Sequence, residues 1–206
     1  MAKKQLAQTD DHSTEEKIKH AARKVFTQKG FSAARTRDIA EEAGINLALL
    51  NYYFRSKQNL FDIVMTENLQ QFLLALSGSL RDENSTLTEK VATIANNYVE
   101  MLKANPDLPL FVLSEIRANP EKLASTMGVK SLLHESAFFK QLMEATKGKM
   151  HPLHLLMNIM GMTVFPFVAR PLLQNVGNLQ QEEFERLMDE RKKMIPIWFE
   201  SILKTL

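Results

Sequence analysis

Residues 36–54 read Thr-Arg-Asp-Ile-Ala-Glu-Glu-Ala-Gly-Ile-Asn-Leu-Ala-Leu-Leu-Asn-Tyr-Tyr-Phe. Their spacing predicts two short helices, roughly 36–43 and 47–54, parted at Ala43-Gly44-Ile45. A glycine between two short helices supplies the positive φ of a tight turn. At the helical period Ile39, Ala40, Ala43, Ile45, Leu50 and Phe54 fall on the inward side. Asn46 is a favoured N-cap residue, so the second of these helices starts there with outward amides, which attract phosphate. The outward face then offers Leu47, Ala48, Asn51 and Tyr52. Small or apolar groups suit a thymine methyl, and Asn can bond adenine bidentately in the major groove. Arg55 and Lys57 lie just beyond, where a flanking phosphate would run. This is the layout of a helix-turn-helix, although two short helices around a glycine also occur in plain helical bundles.

Outward from this stretch the apolar residues keep helical time and no segment alternates with a period of two. Upstream, Ser13 with Glu16 reads as a capping box opening a first helix. Its stripe is Ile18, Ala21, Ala22, Val25 and Phe26, and Gly30 is its stop. Downstream, a long helix runs from Ser56 to Leu80, and Thr86 with Glu89 opens another that stops at Asn105-Pro106. Further helices are expected around 111–117, 131–146, 152–169 and 180–204, the last kinked or left with a free carbonyl by Pro196. The fold class is all-α, with about nine helices.

Composition narrows the function. The 206 residues contain no cysteine, which excludes a disulfide framework, a thiolate metal site, an iron–sulfur cluster and a Cys nucleophile. The start, MAKKQLAQTDDHSTEEK, has no apolar core and does not read as a secretory signal. The most apolar run, Leu153 to Ala169, falls short of the ~20 clean residues that span a bilayer. A soluble, cytoplasmic protein with no membrane partner is expected. Residues 1–60 carry 11 Lys/Arg against 7 Asp/Glu, whereas the remainder carries 15 against 17. A basic head on a mildly acidic body fits a polyanionic partner.

The stretch from Thr14 to Leu60 resembles the N-terminal DNA-binding domain of TetR-family transcriptional regulators. The resemblance lies in Ala22…Phe26…Gly30-Phe31, then Arg37-Asp38-Ile39-Ala40…Ala43-Gly44-Ile45, then Tyr52-Tyr53-Phe54-Arg55-Ser56-Lys57…Leu60, with matching spacing. It implies a three-helix DNA-binding domain over residues 1–58, ordered from about residue 13. A helical ligand-binding and dimerisation domain over 59–206 would follow. It also implies DNA contacts from Thr36 and Arg37, from Ala48, Asn51, Tyr52 and Tyr53 on the recognition helix, and from Lys57 on the backbone. Tyr52 and Tyr53 would position on phosphate or sugar, and Asn46, Leu47, Ala48 and Asn51 would read bases. Two departures from the family pattern matter. Arg35 stands where Thr or Ser usually caps the second helix, so either the cap is lost or Arg35 itself reaches DNA. Asn51 replaces the commonest tyrosine of the recognition helix.

The family further implies an apolar small-molecule effector, with no metal or other cofactor. The expected lining is Phe72, Leu76, Phe111, Ile116 and Phe139. It implies a homodimer through the last two helices, with Met157, Met160, Val164, Phe184, Leu187, Arg191, Trp198 and Phe199 at the interface. A twofold axis would set the recognition helices about 34–36 Å apart, matching a palindromic operator in double-stranded DNA. His151 and His154, three apart with Glu144 upstream, read as a cap and a half-buried ring rather than a metal site. No GxSxG, HExxH or P-loop appears, so no enzyme motif is present. The reading is a repressor released by an inducer. The alternative is a small-molecule carrier with a degenerate helix-turn-helix.

Overall fold

The structure, a computed structural model, describes residues 2–118, 120–126, 128 and 135–206, with side chains from residue 13 onward except at 122 and 126. Among the described residues every regular element is an α-helix. They are α1 (Ala2–Ala33), α2 (Thr36–Ala43), α3 (Leu47–Phe54), α4 (Lys57–Arg81), α5 (Leu87–Ala104) and α6 (Leu108–Ala118), then α7 (Pro120–Thr126), α8 (Ala137–Thr146), α9 (Leu153–Val168), α10 (Arg170–Gly177) and α11 (Gln181–Lys204). These are eleven helices where about nine were expected. The additions are α7 and α10, each with a proline in its first turn, where the missing amide does no harm. Helix α1 already runs from Ala2, so Ser13 lies inside it and opens nothing. The run AKKQLAQ is rich in good helix formers. The helix expected from Ser131 is described only from Ala137, where Ser136 caps the amide of Phe139. Residues 131–134 and Met127 lie outside the described residues.

The chain packs as two compact units, residues 1–68 with 105–107 and residues 69–104 with 108–206. Helix α4 runs out of the first into the second. In the first unit the α1 stripe Ile18, Ala21, Ala22, Val25 and Phe26 is buried with Ile39 and Ala40 of α2 and with Leu50 and Phe54 of α3. Leu60, Phe61, Val64 and Met65 of α4 complete this core. Phe26 meets Phe61 edge-on at 5.1 Å. Gly30 interrupts α1 with φ 71°, ψ 165°, a backbone open to glycine, and the chain turns there into Phe31. The Phe31 amide donates to Asp107, and Asn68 donates to Asn105 at 2.6 Å, which fastens residues 105–107 into this unit.

The second unit is built around Leu69, Phe72, Leu76 and Leu80 of α4, Val91, Ile94 and Ala95 of α5, and buried residues of α8, α9 and α11. Ion pairs tie α5 to α11, with Lys103 3.0 Å from Asp189 and Lys192 2.5 Å from Glu100. Thr86 and Glu89 form the expected capping pair at the head of α5. Prolines sit inside both α9 (Pro166) and α11 (Pro196), and neither helix ends there. Pro166 has no amide for the carbonyl of Met162 four residues back, and Arg191 Nε of α11 donates to that carbonyl at 2.6 Å. The side chain thus replaces the missing backbone bond. No single described helix is long and apolar enough to cross a membrane.

Phe54 is fully buried beneath the end of α3, with α1 and α4 above it in the same core. Truncation to Ala should cost about 3–5 kcal/mol. Urea denaturation of Phe54→Ala should show that loss; an unchanged midpoint would mean the recognition helix is not held through this side chain.

Candidate nucleic-acid interface

The first unit presents α3 with one side in its core and the other in solvent. Leu50 and Phe54 are 0% and 1% exposed, whereas Tyr52 is 75% exposed and Ala48 and Asn51 are exposed beside it. Leu47 and Tyr53 are half-buried at the edge of that face, and Tyr53 lies edge-on to Tyr52 with ring centres 5.4 Å apart. Asn46 is the N-cap, its side-chain oxygen accepting the Leu49 amide at 2.8 Å. The amides of Leu47 and Ala48 precede the first intrahelical bond, so they have no partner within the helix. Gly44 takes φ 66° at the turn, as the spacing required.

Helix α2 starts without a side-chain acceptor at its N-cap, because Arg35 carries only donors. The converse contact is present: Asp38 accepts the Arg35 amide at 3.0 Å. That bond, and then Lys29 at 3.1 Å, hold the Asp38 carboxyl below the usual carboxylate range. The side-chain cap is thus missing at Arg35, and the side chain is exposed. Thr36 is half-buried and Arg37 exposed in the same first turn.

The α3–α4 junction carries strain. Arg55 has φ 61°, ψ −39°, and the Ser56 amide bonds back to the carbonyl of Phe54 at 2.6 Å, which closes a positive-φ γ-turn. Ser56 Oγ accepts the Asn59 amide, and Asn59 returns a bond to the Phe54 carbonyl at 3.0 Å. The junction is thus over-determined, which lets a non-glycine residue stay in a sparsely populated conformation. Arg55 is exposed there. Sequence reading placed it only as one of two cations after α3; the strain was invisible without coordinates. Lys57 is different. Its ammonium donates to the carbonyls of Phe31 (2.8 Å) and Ala34 (3.0 Å) and sits 4.2 Å over the Phe31 ring. Two of its three donors thus close the end of α1 rather than face solvent.

Arg35, Arg37 and Arg55 are consequently the cations of this face that form no salt bridge among the described residues, whereas Lys24 and Lys29 are paired with Glu42 and Asp38. Outward amides, an Asn and two tyrosines lie on the same face. Guanidinium groups and tyrosines position on phosphate, while the outward row of α3 can meet base edges.

In the second unit a cavity of about 210 Å³ lies among α4, α5, α6 and α9. Leu69, Tyr98, Met101 and Leu102 form one side, and Leu108, Pro109, Val112, Leu113 and Ile116 of α6 form another. Met160 and Val164 of α9 close it. Of the five lining residues expected, only Ile116 takes part. Phe72 and Leu76 are core side chains, with Phe72 edge-on to Tyr98 at 4.5 Å, Phe139 packs on that core, and Phe111 is buried away from the cavity. Met160 and Val164, expected at a dimer interface, line the cavity instead. Phe184 and Phe199 are also corrected: both are fully buried in the protomer, so neither can meet a partner. Met157 and Leu187 are exposed, and Arg191 and Trp198 half-buried with the guanidinium 5.1 Å over the indole. Sequence reading missed Phe165, which is 62% exposed on α9, and Met194 and Ile197 on α11. His151 caps α9, its Nδ1 accepting the Leu153 amide at 3.2 Å, and His154 is exposed. Among the described residues no three His, Asp or Glu side chains converge as metal ligands.

Comparison with known proteins gives the site its context. An α3 that shows one face to water, preceded by a tight turn from α2 and capped by Asn46, forms with α2 a helix-turn-helix. Residues 18–64 match the model of the bacterial regulatory proteins of the tetR family. The Probable HTH-type transcriptional regulator YttP of Bacillus subtilis is 24% identical over 201 residues, covering 94% of this chain and 95% of that one. The HTH-type transcriptional repressor NicS of Pseudomonas putida is 37% identical over 89 residues, 42% of each chain. Among solved structures, the fold matches the transcriptional regulator FadR of Bacillus subtilis in complex with stearoyl-CoA, at TM-score 0.57 and 19% identity. That match covers 87% of this chain and 96% of FadR. FadR of Bacillus halodurans matches at TM-score 0.58 and 19% identity, over 88% of this chain and 93% of that one. The chain is thus similar to the TetR family over residues 18–64, and the relatives named here are transcriptional regulators.

The strained turn makes a prediction that separates stability from binding. Arg55→Gly relieves the positive-φ cost but adds unfolded-state freedom, so stability should stay within about 1 kcal/mol of the parent. DNA affinity should fall and the salt dependence of binding should flatten by about one ion. Thermal unfolding alongside DNA titration at several salt concentrations checks both; an unchanged salt slope would place Arg55 off the DNA.

Proposed function

We propose that the chain is a repressor that binds a palindromic operator as a homodimer and leaves it when a small apolar effector binds. In this reading the DNA-binding part is residues 1–58 and the effector and dimer part residues 59–206. The observation that carries it is the outward face of α3, with Ala48, Asn51 and Tyr52 open to solvent and Arg35, Arg37 and Arg55 exposed around it, none in a salt bridge among the described residues. Asn46, Leu47, Ala48 and Asn51 read bases; Thr36, Tyr52 and Tyr53 join the arginines on the phosphate backbone. Lys57 acts first as an internal clamp and contributes charge rather than a dedicated contact.

The homodimer rests on two exposed apolar rows in the second unit. On α9, Leu153, Met157 (57% exposed) and Phe165 fall at intervals of four or eight residues, with exposed Gly161 completing the row. On α11, Leu187, Met194 and Ile197 fall seven and three residues apart, on a face offset from the buried Phe184, Met188, Ile195 and Phe199. A contiguous apolar row of this kind, unlike singly scattered apolar residues, marks an interaction surface. A second copy covering both would place the heads in a twofold pair. The effector occupies the cavity between α4, α5, α6 and α9, and acts by preferring a conformer with lower DNA affinity. The long-chain acyl thioester found with FadR is one class of effector to be weighed, and the reading takes a location in the bacterial cytoplasm.

Selection from a pool of random duplexes by the full-length protein, at two salt concentrations, tests the proposal. Enrichment of a palindrome, with affinity falling as salt rises, is expected. Phe165→Glu should sediment as a monomer and lose at least about tenfold affinity for that palindrome, since only one half-site remains engaged. Absence of any enriched sequence would favour the carrier reading, in which the cavity is the whole function.

A further inference from the structure

We infer that the cavity of the second unit takes a compact, uncharged, apolar molecule somewhat larger than benzene and discriminates against carboxylates; this rests on the reading of that cavity as the effector site. Its walls carry the argument. Aliphatic side chains such as Leu69, Val112 and Val164 line it with the thioethers of Met101 and Met160, and no Lys, Arg, His, Asp or Glu takes part. A carboxylate drawn inside would lose its water and meet no cation, which is strongly unfavourable. Tyr98 supplies the one hydroxyl-bearing side chain of the lining. Burial pushes its phenol up to about 12, so it stays neutral at any working pH. A neutral phenol cannot balance a charge.

Size points the same way. An apolar protein cavity of about 150 Å³ lined by Leu, Ile and Phe stays dry and accepts benzene. The present cavity, at about 210 Å³, holds a ring with a short alkyl arm, or an alkane or terpenoid of similar bulk. Methionines on two sides let it adapt to related shapes. The most exposed lining residues are Leu113 and Ile116 of α6, the latter 50% exposed, so the entrance has an apolar lip as well. An anchoring cation at the mouth, which an acidic ligand would need to leave its charged end outside in a defined place, is absent from that lining.

Isothermal titration calorimetry of the full-length protein with butylbenzene and 4-phenylbutyrate tests this, because the two probes share a carbon skeleton and differ in one carboxylate. Butylbenzene should bind at least about tenfold tighter. Ile116→Lys, which puts a cation at the cavity's apolar lip, should raise affinity for 4-phenylbutyrate severalfold relative to butylbenzene. Equal affinities, tighter binding of the acid, tighter binding of stearoyl-CoA, or no binding of butylbenzene would each overturn the inference. None of these outcomes touches the selection of an operator, so the regulator reading stands or falls separately. Conversely, butylbenzene binding without release of DNA would leave the inference intact and remove the effector role.

Discussion

The burial of Leu50 and Phe54 decides which side of α3 meets water, and the function depends on that choice. An α-helix carries its faces at fixed angles, so sinking those two side chains into the core with Ile18, Ala22 and Ile39 leaves Ala48, Asn51 and Tyr52 outside. The turn at Gly44 and the Asn46 cap fix where the helix starts, and the γ-turn at Arg55 fixes where it stops. Nothing in the outward row is needed for packing. That is the arrangement in which the sequence of a reading surface can vary while its scaffold does not.

The same economy of contacts appears where the chain passes between its two units. Helix α4 is one covalent connection, and residues 104–108 supply two more crossings. Asn105 and Asp107 are fixed in the first unit by hydrogen bonds to Asn68 and to the amide of Phe31. Their sequence neighbours Leu102, Leu108 and Pro109 line the cavity of the second. Phe31 also gives its carbonyl to Lys57, the first residue of α4.

Much of this was legible in the sequence because it rests on period and local chemistry. The α1 stripe, the α2 and α3 boundaries, the Asn46 cap and the Thr86–Glu89 pair are local features, and the structure reproduces them. Helices α7 and α10 were missed because a proline reads as a boundary, whereas here it opens a helix. Helix α11 misled for another reason. It is apolar on two faces, and periodicity does not say which face belongs to the protomer; Phe184 and Phe199 turned inward while Met194 and Ile197 stayed out. The cavity depends on how four helices far apart in sequence meet, so only Ile116 of its lining was anticipated. The Arg191 bond to the Met162 carbonyl was within reach, since Pro166 announces a carbonyl without an amide, but its partner is a residue 29 positions away.

Dimethyl sulfate protection on an enriched duplex tests the central claim most directly, because it reports guanine N7 in the major groove and adenine N3 in the minor groove separately. If the outward row of α3 reads DNA, the bound protein protects guanine N7 within each half-site and leaves adenine N3 reactive, and Asn51→Ala weakens that protection. Protection confined to adenine N3, or none at either groove, would contradict it.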